Sequence, residues 1–215
     1  MYLPEHFKEE DEAKIHAVIR ENGFATLVTF DGARPLASHV PLLFDPSRGK
    51  RGSLLGHVAR ANAQWRQFST GAEALAIFTG PHAYISPNWY QTPLMVPTWN
   101  YVAIHVYGIP RIVEDTAAFE EILRLTVEQY ESGRPARWRD TLPVDYKAGL
   151  MKAIVGFEIE ITRLEAKFKL SQNRRPEDIA GAAAALNQSG NETERALAAL
   201  MKSQYEQAQR KAGNT

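Results

Sequence analysis

Two prolines inside one β-forming run constrain this chain more than any other feature. Residues 24–30, FATLVTF, read as a strand, Asp31-Gly32 as a hairpin turn, and residues 33–44 as the returning strand, which carries Pro35 and Pro41. Proline has no N–H to give to a ladder, so the returning strand must be an edge, or be bent or bulged as strands at barrel corners are. The pattern recurs between residues 83 and 113, where β-branched and aromatic residues are interrupted by Pro87, Pro93, Pro97 and Pro110. Two long, bent strands joined by a substantial loop are expected there, and no helix.

The remaining elements follow from periodicity and capping. Residues 9–22 read as a helix with acids at its start, Ile15, Val18 and Ile19 as its buried stripe, and Gly23 as its stop. After the polar loop 45–52, SLLGHV is a short strand, residues 61–68 a short helix capped by Asn62, and residues 74–80 another strand. Residues 116–132 keep helical spacing through Phe119, Ile122, Leu123, Val127 and Tyr130, between Asp115 and Gly133. Val155, Phe157, Ile159 and Ile161 alternate with polar or small residues, the period-2 signature of a strand that closes a sheet. From Pro176 onward the chain is alanine-rich and helical, with Asn191 and Glu194 spaced as an N-cap and its reciprocal partner. Strands mostly follow strands directly, which favours antiparallel pairing: a small antiparallel barrel with helical additions.

Composition removes several function classes. The 215 residues suffice for one large domain, or one domain with a small appendage. Apolar residues at 44% and charged residues at 23% are ordinary globular proportions. The absence of cysteine excludes disulfides, thiolate nucleophiles and cysteine metal sites within this sequence, and fits a cytoplasmic protein. With 25 basic and 25 acidic residues the formal net charge is zero, so no chain-wide field draws the protein to polyphosphate or anionic lipid. The first residues lack the pattern of a secretory signal, and no segment has the apolar length of a membrane span, so no membrane partner is expected.

Three constellations could carry chemistry. Of the 12 Tyr and Trp residues, six (Tyr84, Trp89, Tyr90, Trp99, Tyr101, Tyr107) lie between positions 84 and 107. Mixed with Thr98, Asn100 and two histidines, they form either flat walls for a planar heteroaromatic ligand or a barrel core or subunit interface. The second constellation, GHVARAN at 56–62, brings His57, Arg60 and Asn62 to a strand-to-helix junction. It suits a phosphate, or it merely caps the helix. The third is KFKLSQNRR at 167–175, with Lys169, Gln172 and Asn173 among its polar groups; alone it reads as a solvated strand end. The six histidines show no zinc spacing, and GxSxG, P-loop and GxGxxG motifs are absent.

MYLPEHF at the start, SHVPLLFD (38–45), GHVARANAQW (56–65), FTGPHAYISPNWY (78–90), VPTWNYVAIHVYG (96–108) and KLSQNR (169–174) together resemble the PaiB family of FMN-binding negative transcriptional regulators. The resemblance implies an antiparallel split β-barrel of the FMN-binding type over residues 1–175, a helical extension over 176–215, and a homodimer. It implies an FMN phosphate held by Ser38 and His39 on one strand and by His57, Arg60 and Asn62 at the following junction. It places Tyr90, Thr98, Trp99, Asn100 and Tyr101 as a wall from the partner subunit against the isoalloxazine ring. Lys169, Gln172 and Asn173 would reach the ring's polar edge or the phosphate. A flavin-dependent NAD(P)H oxidoreductase is the alternative from another class. Haem binding through His39, His57, His82 or His105, as in some split-barrel relatives, is a third.

Direct DNA contact is not favoured by charge. Residues 176–215 carry four Lys or Arg against five acids, and a helical hairpin covering the barrel is a better reading than a helix-turn-helix. Basic residues gather locally at Arg48, Lys50 and Arg51, at Arg134, Arg137 and Arg139, and at Lys167, Lys169, Arg174 and Arg175.

Overall fold

Strand β1 (Phe24–Phe30) pairs antiparallel with β2 (Pro35–Asp45) from Phe30↔Pro35 to Phe24↔Pro41. The turn between them is set by Asp31, whose Oδ1 accepts from the N–H groups of Ala33 and Arg34, and by Gly32 at φ +94°. Strand β3 (Ser53–Ala59) joins β2 only from Leu42↔Gly56 to Asp45↔Ser53. Leu42 N donates to Gly23 O at 2.8 Å, so alternation turns the nitrogens of Pro41 and Pro35 away from β1 and towards the side where β3 does not reach, and no ladder bond is lost to them. The proline constraint is met by a local edge inside a longer strand.

This computed structural model describes residues 1–213. The remaining strands are β4 (Ala74–Ile85), β5 (Thr98–Ile112) and β6 (Ile154–Lys169), and the helices are α1 (Glu12–Glu21), α2 (Thr116–Glu131), α3 (Val144–Met151), α4 (Pro176–Asn187) and α5 (Glu192–Gly213). Hydrogen bonds join the strands in the order β1-β2-β3-β6-β5-β4 as a closed barrel, with β1 also pairing β4 antiparallel at Val28↔Leu75. The expected antiparallel barrel with helical additions is the observed architecture.

Several boundaries differ for identifiable reasons. Helix α1 starts at Glu12 because Asp11 is its N-cap, with Oδ1 accepting from Ala13 N, while Glu9 Oε1 accepts from Glu10 N and Asp11 N in the turn ahead of it. The segment after Asn62 is a 3₁₀ helix, Ala63–Ser69, and a further 3₁₀ turn, Pro87–Trp89, occupies the stretch expected to hold no helix. Strand β4 runs through Pro81 as one element. Strand β6 is 16 residues long, so the basic run at 167–169 ends a sheet strand. Helix α3 has no apolar stripe and announced itself by no period. Asn191 caps α5 through Thr193, but its N–H is met by Ser189 Oγ.

Contacts divide the chain into two compact units, one of residues 16–78 and 105–164, the other of residues 1–15, 79–104 and from 165 onward; β4, β5 and β6 contribute to both. In the first unit Phe68 packs on Phe157 at 4.7 Å between ring centroids, beside the buried Leu27, Leu42, Leu54 and Ile159. Helix α2 covers the opposite face of β3, where Leu55, Phe119 and Ile122 form a second cluster. In the second unit α4 packs closely on the Pro87–Trp89 turn: a Cβ on Gly181 would stand 2.2 Å from Trp89 O.

Candidate functional site

The junction after β3 is held by hydrogen bonds that tie three of the five expected phosphate residues to their surroundings. Asn62 Oδ1 accepts from Gln64 N at 3.0 Å, and Asn62 Nδ2 donates to Ser38 Oγ at 2.8 Å. Gln64 is buried, and its Nε2 donates to the carbonyls of Leu27 and Leu36 at 3.0 and 3.2 Å. This locks the 3₁₀ helix onto β1 and β2. Since Ser38 accepts one bond, its own O–H remains to be donated, as does the second Nδ2 hydrogen of Asn62.

The other three expected residues stand apart from that pair. Strand alternation sends His39 to the face opposite Ser38, where it stacks on the exposed Phe24 at 6.1 Å. His57 shares the face of Leu55, and burial alone pushes its imidazole below the ordinary 6.5, so it is neutral at pH 7. Arg60 is committed elsewhere: Nε donates to Lys152 O at 2.8 Å and Nη2 to Ile154 O at 3.0 Å. It clamps the α3–β6 turn, and its guanidinium carbon lies 6.0 Å from the Trp65 ring centroid.

In the second unit, β5 alternates Asn100, Val102 and Ile104 inward with Trp99, Tyr101 and Ala103 outward. Trp99 is 54% exposed, with His82 at 6.4 Å and Tyr84 at 6.3 Å between ring centroids, which makes an aromatic patch open to solvent. Asn100 is buried; its Nδ2 donates to Ser171 Oγ at 2.8 Å, and its Oδ1 has no partner among the described residues. Lys169 Nζ donates to Thr98 Oγ1 and Trp99 O, both at 2.6 Å. Burial first, then the charges of Lys167 and Arg174, lower its pKa. Gln172 folds back on its own turn, accepting from Leu170 N at 2.7 Å and donating to Phe168 O. Asn173 is exposed beside it, and Tyr90 lies under the Arg174 guanidinium at 5.9 Å.

Two residues of consequence lie outside the expected set. Lys167 is buried, donates to Tyr2 O at 3.0 Å and sits 5.2–6.0 Å from the rings of Tyr2, Phe7 and Tyr101. Its enclosure depends on the chain's first residues, which local spacing does not connect to position 167. Asp178, in the first turn of α4, is buried and accepts from Gln91 and Thr92. Sequence offers it only as a helix-dipole acid.

A family model described as "Putative FMN-binding domain" matches residues 1–163. The chain belongs to this FMN-binding family. It is 38% identical to the protease synthase and sporulation protein PAI 2 of Bacillus subtilis, over 94% of this chain and 96% of that one. An uncharacterized protein of Emericella nidulans is 30% identical over 98% of this chain and its own full length. Among solved structures, an FAD and heme binding protein of Mycobacterium smegmatis superposes with a TM-score of 0.59 at 16% identity, covering 80% of this chain and 78% of that one. The flavocytochrome Anf3 of Azotobacter vinelandii gives 0.58 at 15%, covering 81% and 75%. These two likenesses establish the flavin split-barrel fold.

The residues present fit a flavin nucleotide. In the unit of residues 16–78 and 105–164, Ser38 and Asn62 supply hydrogen-bonding groups suited to a phosphate; in the other unit, taken by itself, Trp99 and Tyr84 supply flat apolar surface, and the buried Oδ1 of Asn100, without a partner among the described residues, can accept an N–H. No helix among the described residues is long and apolar enough to cross a membrane.

Proposed function

We propose that the chain works as a homodimer that binds FMN, with the phosphate on Ser38 and Asn62, with His39 and His57 on the other face of the sheet outside the phosphate's reach, and with Arg60 shaping the junction. Trp99, with Tyr90, Thr98, Asn100 and Tyr101 of the same segment, forms the wall that each subunit offers to its partner's flavin. Lys169 stands at the ring's polar edge, with Gln172 and Asn173 as the turn that positions it. Bound FMN supplies the redox chemistry of its isoalloxazine ring, and the protein's residues fix its orientation and exclude water. The single observation behind this reading is the open Trp99–Tyr84–His82 patch. An exposed indole edged by two further rings suits both a planar ligand and a second copy.

The role follows the family resemblance: negative transcriptional regulation in the cytoplasm, with residues 1–175 as the flavin barrel and 176–215 as a helical cover. Residues 214 and 215 lie outside the described residues.

The test is an absorbance titration of purified protein with FMN, run alongside a solution mass measurement. Expected are a shifted, saturable flavin spectrum at one FMN per chain and a mass of two chains. A free-flavin spectrum at every ratio, or a single-chain mass with FMN bound, would refute the reading.

A further inference from the structure

Between the end of β6 and the C-terminal helical pair lies a cavity of about 430 Å³ that the flavin reading does not use. Leu170, Ile179 and Met201, all buried, form its apolar wall. Its polar groups are Arg174, His6, Gln204, Tyr205 and Gln209, and no carboxylate lines it among the described residues. Gln172 also borders it, but its amide is engaged by its own backbone.

The charge there is unbalanced. Arg174 is half-buried, and its recorded partners are soft: the Met95 sulfur at 3.8 Å and the Tyr90 ring. It has no ion pair among the described residues, whereas its neighbour Arg175 pairs with Glu177 at 3.0 Å. The charges of Lys167 and Arg174 both reach Lys169 and add to burial in lowering its pKa, and neither lysine has a carboxylate partner among the described residues. Three cations gathered at a partly desolvated strand end repel, and a guanidinium at a cavity edge binds a planar anion through two parallel bonds.

We propose that this cavity binds a small organic anion: an apolar body against Leu170, Ile179 and Met201, with a carboxylate or phosphate head on Arg174. Tyr205 and Gln209 complete the head's hydrogen bonds from α5. The volume falls within the range of small-molecule sites. A ligand there touches the turn that follows β6 together with α4 and α5, so it couples the helical pair to that turn. This inference does not rest on the flavin reading.

Titration calorimetry with 2-naphthoate, 2-naphthyl phosphate and neutral 2-naphthalenemethanol tests it, on protein alone and on protein presaturated with FMN. One or both anions should bind saturably, the better one revealing whether the head is carboxylate or phosphate. The alcohol should bind at least about tenfold more weakly, as the loss of a charge-assisted contact requires. Arg174→Gln should weaken the anion by about tenfold or more, Arg174→Lys should restore part of that, and Gln209→Glu on the exposed rim should weaken it severalfold. Melting curves establish that each variant is folded. Undiminished anion binding by folded Arg174→Gln, equal binding of the alcohol, or no saturable binding of either anion would overturn the proposal. So would displacement by FMN, which would make the cavity part of the flavin's own site. Binding that survives presaturation with FMN separates the two sites, and anion binding without any FMN binding sinks only the flavin reading.

Discussion

Asp178 and Thr92 are joined twice: Oδ2 accepts from the Thr92 hydroxyl at 2.5 Å and Oδ1 from the Thr92 N–H at 3.0 Å, with Gln91 N donating to the same Oδ1 at 2.8 Å. One carboxylate at the start of α4 thus fixes the base of the loop between β4 and β5. Beyond it the loop carries Leu94, fully exposed at φ +59°, and the exposed Val96, between Pro93 and Pro97. A strained, apolar loop tip persists only when its base is over-determined.

The Thr92 hydroxyl, then the Thr92 and Gln91 N–H groups, hold the Asp178 carboxyl below its ordinary 3.8. A depressed carboxylate pKa stabilises the fold fully above the unfolded value and ceases to do so as pH falls through the folded one. Asp178→Asn should lower the melting temperature by a few degrees at pH 7 and flatten its fall below about pH 4. Melting curves from pH 7 to pH 2.5 provide the check, and parallel curves for both proteins would contradict the assignment.

Two glycines in the barrel wall differ in what surrounds them. A Cβ on Gly156 would meet the Phe119 ring at 2.4 Å, whereas one on Gly108 would stand 2.3 Å from the backbone oxygen of Glu160. A ring can shift but a paired strand cannot. Gly156→Ala should cost about 1–3 kcal/mol, in the usual overpacking range, and Gly108→Ala more. Urea denaturation of the two variants checks the order, and equal losses would show that β5 and β6 can part.

Most of the barrel was legible because its signals are local. The prolines, the Asp31-Gly32 turn, the alternation from Val155 to Ile161 and the Asp115 cap each act within a few residues. What escaped depends on distant partners. Helix α3 has polar and apolar residues on every side, so no period marks it. Arg60 reads as a phosphate ligand by position, yet its guanidinium meets carbonyls some 90 residues away, at Lys152 and Ile154. The enclosure of Lys167 by Tyr2 and the hold of Asp178 on Thr92 likewise rest on partners far away in the sequence.

Burial holds the His57 imidazole below 6.5, so the folded state resists its protonation. Stability from a depressed histidine is whole above the unfolded value and declines as pH drops through the folded one. Between pH 7.5 and pH 5 the wild-type melting temperature should therefore fall further than that of His57→Gln. Calorimetric scans across that interval decide it, and identical slopes would place the ring in water.

Arg60 and Asn62 separate structure from ligand binding. Arg60→Ala removes two bonds to the α3–β6 turn and should cost about 1 kcal/mol of stability, with a modest effect on FMN. Asn62→Asp keeps the cap on Gln64 N but loses the donor to Ser38 and sets a negative charge beside the phosphate. Its FMN affinity should fall at least about tenfold with little change in melting, the scale of one charge-assisted bond. Fluorescence titration of both variants is the measurement, and the opposite ranking would return Arg60 to the phosphate.

Trp99 bears on both halves of the proposed function. Its indole is 54% exposed, though its neighbours His82 and Tyr84 leave it room to be buried by a second copy. A tryptophan at the centre of an interface contributes about 2 kcal/mol or more, equivalent to roughly a thirtyfold change in dissociation constant. Trp99→Glu adds a charge to that patch while leaving the buried face of β5, with Asn100, Val102 and Ile104, unaltered. The variant should therefore remain folded, sediment as a single chain at micromolar concentration and lose most of its FMN affinity, because the partner's wall is gone. Analytical ultracentrifugation with and without FMN distinguishes the cases. A dimer that persists but no longer binds FMN would assign Trp99 to the ring alone, and a monomer that still binds FMN would place the flavin within one subunit.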